Sequence, residues 1–311
     1  MADRVSSVER PLTFGPDQGL IGIWCEPRGA PAAARLPVVV FINSGVIHRA
    51  GIGRLHVRLA RALAESGFSS LRFDLSGIGD SARPRDAIPL AEIVSRDVHA
   101  AVAIAKSRGN TDGVILAGLC TGARDAIDGA LGDPSVVGVV AIDVIGDLRN
   151  WQFWAVHLGR RILRLESWVN TINGRNRWVT RVLGRWAPGS RNGAPTALPR
   201  DMVLGIRDHL SREALGVQLD QLLARGAGVF FAFSGGEGNP YNHERQLAEI
   251  YPEAVRHRGL AWAYFPEADH IFSERAQQAH LIERIKGWLA AEFLTTGDVG
   301  DDAPLPLSKL A

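Results

Sequence analysis

The sequence predicts an α/β protein in which a mostly parallel sheet is covered by helices on both faces. Three observations carry that expectation. Short, continuous apolar runs alternate with segments of helical periodicity along most of the chain. One run, 114–119, ends in Gly118-Leu119-Cys120-Thr121-Gly122 and passes directly into a helical pattern. The alternation stops between 145 and 226 and then resumes, which predicts an inserted helical lid.

Taken in order, residues 11–26 alternate and carry Gly19 and Gly22, so they read as a hairpin of Pro11–Phe14 with Leu20–Cys25. Pro37–Ile42 is a short β-branched run, the mark of a strand buried on both faces. A polar, glycine-bearing loop follows from Asn43 to Gly51. Leu55, Leu59 and Leu63 give Arg54–Glu65 a helical stripe that Gly67 stops. Ser70–Leu75 is the next strand, 76–81 a turn, and Ala91–Ser107 a helix. Gly113–Leu119 is a strand, Thr121–Leu131 the helix behind it, and Val136–Val144 another buried strand. After the insertion come Gly228–Phe233 (strand), Glu244–Ile250 (helix), Leu260–Phe265 (strand) and Arg275–Phe293 (helix). The expected organisation is a core of 1–144 and 227–295, a helical lid at 145–226, and a flexible tail at 296–311.

Composition narrows the function classes. The 35 Lys+Arg against 33 Asp+Glu leave a net charge of +2, which argues against nucleic acid as a partner of the whole molecule. Two cysteines, Cys25 and Cys120, are too few for a disulfide framework, and a reducing cytosol is the expected location. Met1–Val5 lacks the apolar core of a signal peptide, and no apolar run is long enough to span a bilayer.

The turn at 118–122 has the layout of a nucleophile elbow. A strand delivers one reactive side chain to a tight turn, and flanking glycines let the backbone fold sharply. Serine is the usual occupant; here it is Cys120. A thiolate is the stronger nucleophile, and the start of a helix favours it. A small buried cysteine is the simpler alternative, but the paired glycines at a strand-to-helix turn favour the nucleophile. Phe73-Asp74-Leu75-Ser76-Gly77-Ile78-Gly79-Asp80-Ser81 resembles an Asp-x-x-Gly-x-Gly-x-Ser turn, and Ala268-Asp269-His270 resembles a catalytic-histidine loop. Three such motifs in this order, over 35–145 and 227–295, resemble the α/β-hydrolase superfamily. The stretches Gly45–Arg49 and Arg72-Phe73-Asp74 are similar to hydrolases associated with exosortase loci, distant relatives of the serine-aminopeptidase-like branch.

That resemblance implies roles. His270 is the expected general base. The order nucleophile, acid, histidine places the acid after Gly228–Phe233, where Glu237 fills the position usual for Asp, and Glu237 is ranked first. Asp143, at the end of the strand behind the elbow, is the rival. Cysteine-dependent members such as tetramate-forming Dieckmann cyclases resemble that second arrangement; Asp147 and Asp269 are further candidates. The oxyanion hole is expected from the N–H of Thr121 and of Val46, with Ser44-Gly45 standing where His-Gly is usual. His48 and Arg49 share that loop; a substrate contact is open to them, although a solvated loop is the simpler reading.

The predicted lid holds Trp151, Trp154, Trp168, Trp178 and Trp186, with far more arginines than acids. An apolar acyl pocket under a basic cap is the functional reading; packing of the tryptophans and a solvated arginine face is the plainer one. Ser44, Gly45, His48, Trp151 and Trp154 are the candidate substrate-binding residues. The expected activity is acyl transfer from a thioester or activated ester through a Cys-His-acid triad. The acceptor is water or another nucleophile, and an acidic acyl carrier protein is a candidate donor. A Dieckmann-type cyclase and a non-catalytic binding protein of the same fold are the alternatives. No metal or cofactor is expected.

Overall fold

The structure, a computed structural model, describes residues 7–29, 36–84, 88–144, 146, 148–156, 210–236 and 239–294. Its elements run β1 (Ser7–Phe14), β2 (Leu20–Pro27), β3 (Val38–Ile42), α1 (Leu55–Glu65), β4 (Ser70–Phe73), α2 (Leu90–Gly109), β5 (Val114–Leu119), α3 (Thr121–Gly132), β6 (Val136–Ile142), α4 (Arg212–Ala224), β7 (Gly228–Ser234), α5 (Gln246–Ile250), β8 (Leu260–Phe265) and α6 (Arg275–Phe293).

The strands make one eight-stranded sheet in the order β1-β2-β4-β3-β5-β6-β7-β8. β1 and β2 pair antiparallel, as do β2 and β4; from β4 to β8 every pairing is parallel. The hairpin is longer than predicted, because β1 continues through Pro11, which lies opposite Ile23. A proline is tolerated there because β1 is the sheet edge, where a missing N–H costs no ladder bond.

Apolar packing explains the central strands. All five residues of β3 and all six of β5 are buried, as a strand covered on both faces requires. One face of the sheet packs Leu55, Leu59 and Leu63 of α1 with Leu281, Ile285 and Trp288 of α6. The other packs Val98 and Val102 of α2, Ala126 and Ile127 of α3, and Leu215, Leu219 and Leu222 of α4. Helix α4 falls inside the stretch assigned to the lid, yet its leucines belong to the core beneath the sheet. Apart from 146, 148–156 and 210–226, that stretch lies outside the described residues, as does the tail at 296–311.

Strand order places the site. The chain runs from β3 outward to β4, then returns across β3 to β5 on its other side. The loops leaving β3 and β5 meet at the carboxyl ends of the strands, where the Gly45 N–H reaches the Thr121 hydroxyl. Those loops are 43–54 and the turn at Cys120.

Candidate active site

Cys120 sits at the junction of β5 and α3 with φ 61 and ψ −117, a conformation that costs a non-glycine residue energy. Its N–H donates to the Ile142 carbonyl at 2.9 Å, tying the turn to β6. The flanking glycines are required by space. A Cβ on Gly118 would lie 2.2 Å from the backbone of Gly122, and one on Gly122 would lie 2.6 Å from the Asn43 carbonyl oxygen. The turn therefore presses α3 onto both its own strand and the loop after β3.

His270 follows β8, and its Nδ1 stands 3.3 Å from Asp143 Oδ2. Hydrogen bonds with Asp143 and then with the Cys120 thiol push the imidazole up to about 10, against the opposing effect of burial. The histidine loop is pinned by its neighbours. Asp269 accepts the Ser273 N–H at 2.9 Å and its hydroxyl at 2.5 Å. Buried Phe272 takes φ 50, and its carbonyl accepts from the buried Gln278 at 2.8 Å.

Asp143 is the residue at which β6 turns away. Its φ of 44 ends the strand two residues before the predicted Val144 and aims the carboxylate toward β7. Its N–H still donates to Ala232 at 2.8 Å. Oδ1 accepts the Ser234 N–H at 2.7 Å, and Oδ2 accepts the Ser234 hydroxyl.

The loop after β3 faces this group. The Gly45 N–H donates to the Thr121 hydroxyl at 2.7 Å, and the Ile47 N–H closes a turn onto Ser44 at 3.0 Å. Val46 lies at the apex of that turn, with its side chain 66% exposed. The Thr121 N–H belongs to the first turn of α3, where helix geometry supplies no intrahelical acceptor. Asn43 and Asp74 hold the loop from beneath. Asn43 donates to the Ile47 carbonyl at 2.6 Å and to Asp74 at 3.3 Å, and it accepts the Leu75 N–H at 2.7 Å. Asp74, fully buried, accepts the Arg49 N–H at 2.6 Å and pairs with the Arg49 guanidinium.

Neither a protein-family model nor a curated protein matches this sequence. Solved structures do resemble the fold. An esterase from Pyrococcus furiosus superimposes with a TM-score of 0.58 at 13% identity, over 94% of this chain and 93% of that one. The esterase domain of a Rhodothermus marinus protein gives 0.52 at 17% identity, over 92% and 100%. A dienelactone hydrolase from Anabaena variabilis gives 0.51 at 14% identity, over 93% and 99%. The chain has the α/β-hydrolase fold.

Within this α/β-hydrolase fold the structure brings together Cys120, His270 and Asp143, with Thr121, Ser44, Gly45 and Val46 across from them. Glu237, ranked first as the acid, lies outside the described residues, as does Asp147. Asp269 turns its carboxylate onto Ser273 within its own loop. Trp151 and Trp154 lie on a helical stretch at 151–156 that leaves the end of β6, and they are 74% and 49% exposed. That stretch is anchored where Asn242 donates to the Phe153 carbonyl at 3.0 Å. The remaining tryptophans of the predicted lid, Trp168, Trp178 and Trp186, lie outside the described residues.

His48 and Arg49 are turned toward the loop's own support. His48 Nε2 lies 3.6 Å from Asp74 and 3.7 Å from Asp80, and Arg49 bridges the same two carboxylates. The ligand atoms of His48, Asp74 and Asp80 fall within 4.8 Å of one another, a spacing a metal ion could use. The Arg49 guanidinium already supplies the positive charge between the two carboxylates, so the cluster is an ion-paired anchor. Among the described residues no helix is long and apolar enough to cross a membrane.

Sequence reasoning missed Ser234, Asn43 and the full part played by Asp74. Ser234 had a signal. It is the polar residue that ends an otherwise apolar strand, and it was read as the first loop residue because side-chain type alone does not show that the ladder continues.

Proposed function

We propose that the protein is an acyl-transfer enzyme in which Cys120 attacks the carbonyl carbon of an ester or thioester. One observation carries this reading. A thiol on a strained strand-to-helix turn lies beside an imidazole that it helps to keep protonated and whose Nδ1 stands 3.3 Å from a buried carboxylate. His270 accepts the Cys120 proton and, as imidazolium, supplies positive charge beside the attacking sulfur. The carbon–sulfur bond forms as the carbonyl π pair moves to oxygen. The N–H groups of Thr121 and Val46 receive that charge. Collapse expels the alkoxide or thiolate, which takes the His270 proton and leaves a thioacyl-enzyme with a neutral imidazole. His270 then removes a proton from water as its oxygen attacks, and a carboxylic acid leaves with Cys120 restored. The apolar rings of Trp151 and Trp154 suit the acyl portion, and an acidic acyl carrier protein is one source of it.

The placement of Asp143 favours a second reading. An acid at the end of β6 is similar to the arrangement in cysteine-dependent Dieckmann cyclases, in which an internal carbon nucleophile replaces water. The two readings differ in product: the cyclic product is lighter than the hydrolysed acid by one water.

The test is incubation with chromogenic acyl esters and thioesters, with intact-mass detection of an acyl group on Cys120. The reading requires Cys120→Ala to abolish both turnover and adduct. If that variant still turns over, the nucleophile lies elsewhere. Alkylation of Cys120 at pH 6 no faster than free cysteine would instead favour a binding protein with an inert thiol.

A further inference from the structure

Asp143 is held by a hydrogen-bond chain whose direction can be read from its chemistry. Asn239 Nδ2 lies against the Ser234 hydroxyl oxygen and 3.3 Å from the Ser234 carbonyl oxygen. A carbonyl oxygen only accepts, so the amide nitrogen must be the end of Asn239 that faces Ser234. That NH2 also donates to the hydroxyl oxygen, and the single hydroxyl proton is left to point at Asp143 Oδ2. Ser234 is fully buried, so no water competes for that proton. The carboxylate thus receives the Ser234 N–H on one oxygen and its hydroxyl on the other, and the second oxygen also faces His270 Nδ1 at 3.3 Å.

We infer that Ser234 and Asn239 are positioning residues for the Cys120–His270–Asp143 group, fixing the orientation of the carboxylate that orients the imidazole. The inference rests on the acyl-transfer reading for its consequence in turnover, but not for its consequence in thiol reactivity. β7, where the fold resemblance leads one to look for the acid, here supplies the donor that holds an acid carried by β6. Three donors converge on a carboxylate whose backbone is itself in a left-handed turn, so its rotation is fixed from both ends.

The test is the pH dependence of Cys120 alkylation by iodoacetamide, read beside ester turnover, in Ser234→Ala and Asn239→Asp. Removing the hydroxyl, or placing a carboxylate where it draws the hydroxyl proton away from Asp143, loosens His270 and weakens its support of the thiolate. The alkylation midpoint then moves to higher pH by about half a unit or more, and kcat falls about tenfold with KM nearly unchanged. Ser234→Thr, which keeps the hydroxyl, restores the midpoint. If Ser234→Ala fails to fold, Asn239→Asp, isosteric and only partly buried, decides the matter. Folded variants that match the parent in both midpoint and kcat overturn the inference. A parent that turns over no ester, but whose midpoint moves in these variants, leaves the inference standing and removes the acyl-transfer reading instead.

Discussion

His270 Nδ1 stands 3.3 Å from Asp143 Oδ2, so β8 and β6 meet across the intervening β7. The contact reaches across a whole strand because Asp143 leaves β6 in a left-handed turn, and Ser234, at the end of β7, holds the carboxylate there. The carboxylate that faces the imidazole therefore comes from the end of β6, the strand next to the one that leads into Cys120.

The first prediction separates the two acids weighed from the sequence. Asp143→Asn keeps the size but removes the charge that holds the His270 imidazolium and fixes its tautomer. We expect kcat for a chromogenic ester to fall roughly 100-fold or more, with a lowered melting temperature at neutral pH because the pairing that raises the His270 pKa is lost. Glu237→Gln is expected to stay within about twofold of the parent on the same assay. The reverse pattern would transfer the role to Glu237.

A second prediction concerns the elbow. Gly122→Ala would place a methyl group 2.6 Å from the Asn43 carbonyl oxygen and 2.8 Å from that of Ile42. Both neighbours are backbone and cannot rotate away. We expect a loss of about 3 kcal/mol or more, read as a fall in urea midpoint, together with loss of turnover. A variant of unchanged stability would mean that the loop after β3 stands farther from α3.

The sheet was legible because its signal is periodic and local. β5 and β8 fall within one residue of their predicted limits, since a buried parallel strand is a bare apolar run. Helix α4 was not legible as part of the core, because it packs its leucines under the sheet while its sequence offers only a weak stripe. The elbow turn and the histidine loop could be located from spacing: two glycines around Cys120, and a strand end before His270. Which carboxylate meets His270 could be narrowed but not chosen. Nothing in the residue types around Asp143 says that its backbone turns left-handed, or that Ser234 turns back to meet it. Arg49 and Asp74 were read as loop and turn residues for the same reason. Each is polar and lies in a connection, and their pairing across two loops exists only in three dimensions.

A third prediction follows from that pairing. Asp74 is fully buried and holds Arg49, Asn43 and the Asp80 N–H at once. Asp74→Asn leaves the Arg49 guanidinium, itself 13% exposed, without that partner. We expect a cost of about 3 kcal/mol in denaturant unfolding. Because the same group anchors the turn that carries Val46, kcat should fall more than stability explains when assayed well below the melting temperature. A variant that is destabilised but fully active would limit Asp74 to holding its own turn.

A fourth prediction sets two histidines against each other. Burial holds His56 down to about 4 from 6.5, a hydrogen bond to the Arg49 backbone working against it, and the ring stacks on Phe41 with centroids 5.3 Å apart. As pH falls from 6.5 through 4, the unfolded chain takes up a proton that the folded protein refuses, so stability is lost with acid. For this fully buried group the shift corresponds to roughly 3 kcal/mol. His270 has the opposite sign. Its folded value lies above the unfolded one, at about 10, so its contribution is full below pH 6.5 and is lost as pH rises toward 10. The urea midpoint should therefore peak near neutrality. His56→Gln should flatten the acid limb alone, and His270→Gln the alkaline limb alone. An unchanged acid limb in His56→Gln would show that protonation of other buried groups, and not of His56, drives acid unfolding.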